Sequence, residues 1–176
     1  MTDEGGPAVA ATGTVEHGPD GPELVITRVF AAATTEVWAS LTEPALLERW
    51  IGRWEGDPST GRVVFLMTAE GDDPEPEECT IVRCEPPYRY AVDTATAGGT
   101  WHLAVELTEA DGATTLEFRQ RLGPDDDAAS IGPGWEYYLD RLVAVRSERP
   151  ASTVVWEAYY PAQSEHFARA AAAAGT

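Results

Sequence analysis

Residues 52–122 read almost without interruption as β-strand, and only one later segment, 135–149, has the length and amphipathic period to cover a sheet. Strand candidates are 61–69 (GRVVFLMTA), 79–84, 88–96, 100–108 (TWHLAVELT) and 114–122 (TTLEFRQRL). The breaks between them carry turn chemistry: Pro86 and Pro87, then Gly98 and Gly99, then Asp111-Gly112, the strongest hairpin signal in the chain. Short hairpin connections make an antiparallel sheet, which leaves one face to water and must bury the other. The alternation assigns the faces. Trp101, Leu103, Val105 and Leu107 share one side of their strand and Leu116, Phe118 and Gln120 the facing side of the next, while His102, Glu106, Glu117, Arg119 and Arg121 point to water. The expected fold is therefore α+β, a helix-grip in which a curved antiparallel sheet wraps around a long C-terminal helix.

The flanks complete the order. Residues 1–13 have the composition of a disordered leader. Residues 14–31 hold either a hairpin or a loop feeding one strand, 24–30. Two short helices come next, 35–42 and 44–51, because Pro44 suits a first helical turn and not an interior. The acidic run 72–78 (DDPEPEE) reads as a solvated hairpin tip, since it lacks the glycine and ligand spacing of a calcium loop. Asp125, Asp126 and Asp127 suit a helix start, but Pro133 and Gly134 interrupt the segment behind them, so the long helix is placed from Trp135. It sets Trp135, Tyr138, Leu139, Leu142 and Val145 against a polar side of Glu136, Asp140, Arg141, Arg146 and Glu148. Pro150 ends it. The tail beyond carries an aromatic patch, Trp156, Tyr159 and Tyr160, and a last helix over 163–173. Three segments result: a leader 1–13, a domain 14–149 and an extension 150–176.

Charge and cysteines narrow the function. Thirty acidic residues face twelve basic ones, all of them arginine, for a formal charge of −18. That balance argues against nucleic acid and anionic membranes, which are captured by clustered Lys and Arg. No segment approaches the ~18 apolar residues of a membrane span, and no leader pairs basic residues with an apolar run, so a cytoplasmic protein is expected. Cys79 and Cys84 lie on one strand, roughly 16 Å apart. A disulfide needs under about 7 Å, so both thiols are expected free. Metal-ligand spacing and cofactor motifs are missing, and neither a metal nor a cofactor is expected.

The segments VFAAATTEVWASLTEPALLERWI, CEPPYRYAV, GATTLEFRQR and GWEYYLDRLVA resemble the START-like superfamily, also called SRPBCC or polyketide cyclase and Bet v-like. Within it they are most similar to the branch named for the activator of heat-shock-protein-90 ATPase homologue domain. The resemblance covers residues 22–149. It implies a deep cavity between sheet and long helix, used across the superfamily to hold sterols, lipids, polyketides and plant hormones.

Three functional readings are open at this level. The first is a binding protein for a small apolar or aromatic, lipid- or polyketide-like molecule, with Trp50, Phe65, Met67, Tyr90, Trp101, Leu103, Phe118, Trp135, Tyr138 and Leu142 lining the cavity and Trp50 near its mouth. The second is a cyclase, dehydratase or hydrolase working in the same cavity. It would need an inward acid or base. None is assigned, because His102 faces water and Glu136 and Asp140 fall on the polar side of the helix. The third is a chaperone-interacting ATPase activator, as the branch name suggests. Trp156, Tyr159 and Tyr160 could serve a homodimer contact or cover the long helix.

Overall fold

The computed structural model describes residues 7–175. A hairpin of β1 (Thr14–Gly18) and β2 (Gly21–Phe30) opens the fold, followed by α1 (Thr34–Thr42) and α2 (Pro44–Leu47). The meander then runs through β3 (Arg53–Glu55), β4 (Arg62–Leu66), β5 (Pro76–Glu85), β6 (Arg89–Thr96), β7 (Gly99–Ala110) and β8 (Ala113–Arg121). After it come α3 (Ala128–Arg146) and α4 (Ser164–Ala174). All eight strands form one open antiparallel sheet in the order β1-β2-β8-β7-β6-β5-β4-β3, so the first hairpin closes against the last strand of the meander.

The register confirms the alternation read from the sequence. Val105 lies opposite Phe118 and Leu107 opposite Leu116, both pairs buried, and the Asp111-Gly112 turn places both residues in the left-handed region at φ 52° and 76°. On β2 the same face carries Leu24, Ile26 and Phe30. Leu139 and Leu142 of α3 complete the core with these residues and with Val37, Leu41, Leu47 and Trp50 from the short helices. The grip is therefore real: one apolar stripe of α3 against one face of the sheet.

The second short helix ends at Leu47 rather than at 51 and β4 at Leu66 rather than at 69, and four larger differences separate the structure from the sequence reading. Three residues, Arg53–Glu55, add an edge strand too short to show a period of two. Strand β5 begins at Pro76, inside the acidic run taken for a hairpin tip. Helix α3 starts at Ala128 and passes through Pro133 without a break. Asp127 caps it by accepting the Ala129 N–H at 3.1 Å, and Pro133, in the second turn, removes a single backbone donor. The leader is the fourth. Residues 1–6 lie outside the described residues, but Val9 N–H donates to the Ala158 carbonyl at 3.0 Å and the Gln163 amide donates to the Val9 carbonyl at 3.0 Å. One backbone bond and one from the Gln163 side chain tie this stretch to the C-terminal extension, a pairing no local pattern encodes.

Phe167, fully buried, fixes α4 in place. Its ring lies so close to Gly132 and Gly13 that a Cβ at Gly132 would fall 2.2 Å from Cγ, and one at Gly13 2.9 Å from Cε1. Gly132 inside α3 is thus a socket for the Phe167 ring. Gly132→Ala is expected to destabilise the protein by about 1–3 kcal/mol of overpacking, outweighing the helix-propensity gain of up to about 1 kcal/mol. Urea unfolding measures it, and a more stable variant would refute the socket.

Candidate functional site

The concave face of the sheet is unevenly closed. Along β2 and β8 the inward residues Leu24, Ile26, Leu116, Phe118 and Gln120 are buried beneath α3. Along β4–β7 the inward residues Phe65, Tyr90, Val92, Trp101 and Leu103 are only half-buried, although Cys79, Thr94 and, at the far end of β7, Val105 and Leu107 are buried. Trp135 and Tyr138 of α3 are also half-buried: Trp135 lies over β8 at the border of this second half, and Tyr138 reaches across to Glu70 beyond β4. Trp135 packs on Phe118 at 4.3 Å between ring centroids and meets Tyr138 edge-on at 6.4 Å.

The ten residues expected to line a cavity therefore divide. Trp50, Phe118 and Leu142 belong to the closed core, and the indole N–H of Trp50 donates to the Ser40 carbonyl at 2.9 Å. Phe65, Met67, Tyr90, Leu103, Trp135 and Tyr138 pack on the edge of that core and stay partly exposed, and Trp101 extends the open side. Tyr90 meets Trp38 of α1 edge-on at 5.7 Å. Two surface hollows lie elsewhere. One, of about 430 Å³, runs between Ser40, Arg49 and Arg146, and the other, of about 530 Å³, lies beside His102, Arg121 and Asp126. Neither takes in any of the ten.

Polar groups reach the open half from positions that composition had assigned to water. Glu77, two residues before Cys79 on the same face of β5, accepts a hydrogen bond from Thr94 Oγ1 at 3.3 Å. Burial pushes its carboxyl above the usual range, and the nearby charge of Glu70 adds to the shift. Glu70, on the turn after β4, accepts the Tyr138 hydroxyl at 2.9 Å and so straps α3 to the sheet edge. Burial first, and that bond second, push the Tyr138 phenol upward. The Cys79 thiol is pushed up to about 11, mainly by burial, so it is neutral and inert; both cysteines are free, as expected. His102 does face outward, against Asp93 at 2.6 Å. An inward parity at Glu77 was readable once β5 is extended to Pro76, but an unbroken run of acidic and proline residues masked it.

Part of the helix face expected to be solvated is covered instead, although Glu148 at its end is exposed. Glu136 is 0% exposed. Arg28, on the inward face of β2 beside Ile26 and Phe30, donates Nη2–H to Glu136 at 2.5 Å and Nε–H to Asp140 at 2.8 Å. The backbone N–H groups of Thr12 and Gly13 donate to Glu136 at 2.6 and 2.7 Å, and the Tyr159 hydroxyl donates to Asp140 at 2.6 Å. The carboxylates are covered because α3 has a second set of neighbours, residues 9–13 and the tail, which the helical period cannot reveal. An inward-facing Arg28 was the available signal, since a buried guanidinium requires carboxylates on whatever covers it. In the tail, Tyr137 meets both Trp156 and Tyr159 edge-on at 5.4 and 5.7 Å, so this patch covers α3, with Trp156 and Tyr160 stacked and 38% and 40% exposed.

An open antiparallel sheet gripping a long helix, with a short helix pair between its second and third strands, defines a START-like helix-grip protein. The chain belongs to the family described as Activator of Hsp90 ATPase homolog 1-like protein, which matches residues 31–146. No curated protein matches it. Among solved structures it resembles CalU16 from Micromonospora echinospora, at 24% identity and TM-score 0.71 over 92% of this chain and 97% of that one. EF2215 from Enterococcus faecalis, a conserved protein of unknown function, gives 18% identity and TM-score 0.66 over 89% and 88% of the two chains. DynU16, a putative protein in the dynemicin biosynthetic locus, gives 20% identity and TM-score 0.62 over 73% of this chain and 49% of that chain. These likenesses establish the fold. The one to CalU16 reaches beyond residues 31–146, so the shared architecture is larger than the family core.

The Arg28 network carries a stability expectation. Removing one partner of a buried ion pair strands the other charge, at about 3–5 kcal/mol. Arg28→Met should lower the unfolding free energy by that order in urea titrations. A loss under about 1 kcal/mol would show the network to be peripheral.

Proposed function

We propose that the protein binds a small apolar or aromatic molecule against the open half of the concave face, between β4–β7 and the overhang of α3. The observation that carries this reading is the contrast along one continuous face. Inward residues are sealed on β2 and β8, yet large rings at Phe65, Tyr90, Trp101, Trp135 and Tyr138 keep part of their surface for something else to cover. Rings with a few polar handles are the usual lining of a small-molecule site. The likeness to DynU16, a protein of a biosynthetic locus, agrees with a small-molecule role. No helix among the described residues is long and apolar enough to cross a membrane, and the reading takes the protein to act in the cytoplasm, without a metal or cofactor.

Titration with a neutral aromatic such as 2-acetylnaphthalene should perturb the tryptophan fluorescence and give a saturable complex in native mass spectrometry. Trp101→Ala or Phe65→Ala should weaken it about tenfold or more, the worth of one buried ring. No saturable signal up to the probe's solubility, or equal affinity in both variants, would overturn the site.

Glu77 favours a second reading, in which the same half performs acid-base chemistry of the cyclase, dehydratase or hydrolase kind. A carboxyl whose pKa is raised by burial keeps its proton to a higher pH than an exposed one, and in that form it can donate. Turnover that uses it as an acid would be full at low pH and fall as pH rises through its raised pKa. Glu77→Gln should abolish that turnover while leaving ligand affinity in place; a variant that still turns over removes Glu77 from the chemistry. The chaperone-activator reading draws on no observation beyond the family description.

A further inference from the structure

Among the described residues, Gln120 is the one polar side chain on the sealed part of the concave face that lacks its full set of partners. It lies on β8 between Leu24 of β2 and Leu103 of β7, and it is 0% exposed. Its orientation is fixed from above, because the Trp135 indole N–H donates to its Oε1 at 2.6 Å. That bond leaves the Nε2 donors pointing elsewhere, and among the described residues nothing accepts from them. A buried amide nitrogen without an acceptor is costly, and buried polar groups are paired in the great majority of native structures. A leucine or methionine would fill the same volume without that cost.

The position relates this orphan donor to the open half. Its cross-strand neighbour Leu103 and its hydrogen-bond partner Trp135 are both half-buried, so Gln120 lies one side chain behind the exposed rings. Trp135 in turn packs on Phe118 and Tyr138, which aligns the overhanging rings with the amide. A flat apolar molecule that parts Leu103 from Trp135 would bring its inner end to Nε2. Glu77 and Glu70, by contrast, belong to the β5 side of the same half and, when ionised, only accept.

We propose that the Gln120 carboxamide is the specificity-determining donor of this site, selecting ligands that present a carbonyl or similar acceptor oxygen at the buried end of an aromatic body. The inference rests on the binding role proposed for the open half and sharpens it to a ligand class. Trp135 is the positioning residue: by occupying Oε1 it commits the amide to donating. A hydrocarbon of equal shape would leave Nε2 unpaired and bind more weakly, as sites built around a buried hydrogen-bonding group reject analogues that lack the complementary atom.

A matched pair of probes tests this: 2-acetylnaphthalene and 2-isopropenylnaphthalene, which differ by C=O against C=CH2. The native chain should bind the ketone about tenfold more tightly than the alkene. The infrared carbonyl band of the bound ketone should move to lower frequency than in hydrocarbon solvent. Gln120→Met should erase both the preference and the band shift while still binding the alkene. Equal affinity for the two probes with an unshifted band would overturn the role of Gln120 and leave the apolar site standing. Binding of neither probe would overturn the site and this inference together. The band measurement is made on the native chain, so it decides the matter even if Gln120→Met fails to fold.

Discussion

Everything on the N-terminal side of this fold hangs on one guanidinium. Arg28 projects from β2 into the layer between sheet and α3, where a charge can exist only if it is fully paired. Glu136 and Asp140, one helical turn apart, supply the partners, and their remaining oxygens collect the backbone of Thr12 and Gly13 and the hydroxyl of Tyr159. A single buried cation thereby fixes the rotation of α3 about its axis and recruits both flanking segments as its cover. Once α3 is set at that rotation, Leu139 and Leu142 face the core, Trp135 lies over β8 and Tyr138 reaches Glu70 beyond β4. The asymmetry of the concave face is the result, since the helix is anchored on β2 and reaches the β4–β6 side through Tyr138 and Glu70.

That dependence explains what sequence reasoning reached and what it did not. The meander, the inward set on β7 and β8, the paired short helices and the long helix were legible because alternation, Asp111-Gly112 and Pro44 are local signals whose energetics lie within a few residues. The family resemblance rested on the same stretch, and the family match falls on it. Glu136 was misread because helical periodicity reports one buried stripe, and this helix has two, the second created by segments far away in sequence. Pro133 looked like a barrier because its cost was weighed without Phe167, whose ring holds Gly132 and the helix start in place. Residues 9–13 looked like a tail because nothing in them is apolar enough to demand burial; they are held by hydrogen bonds instead.

Of the candidate site, Trp101, Leu103, Trp135 and Tyr138 were recoverable from parity and helical phase. Phe118 was assigned the right face of its strand and Leu142 the right side of α3, but both belong to the sealed end, and Trp50, expected near a mouth, lies in the core; how far a helix covers a sheet is not written in the strands. Glu77 and Gln120 escaped for opposite reasons. The first was hidden in a run of acids and prolines. The second was recognised as inward, yet its unpaired nitrogen becomes visible only when Trp135 is seen to occupy its oxygen.

The uneven closure of the grip separates what keeps this protein folded from what faces its surroundings. Tight packing and the ion network lie on the β2, β8 and α4 flank, whereas the half-covered rings of β4–β7 contribute less to the core. Substitutions on the second flank spend little of the narrow margin that separates folded from unfolded chains. A lineage built on this scaffold can therefore change what its open flank recognises many times over without renegotiating how it folds.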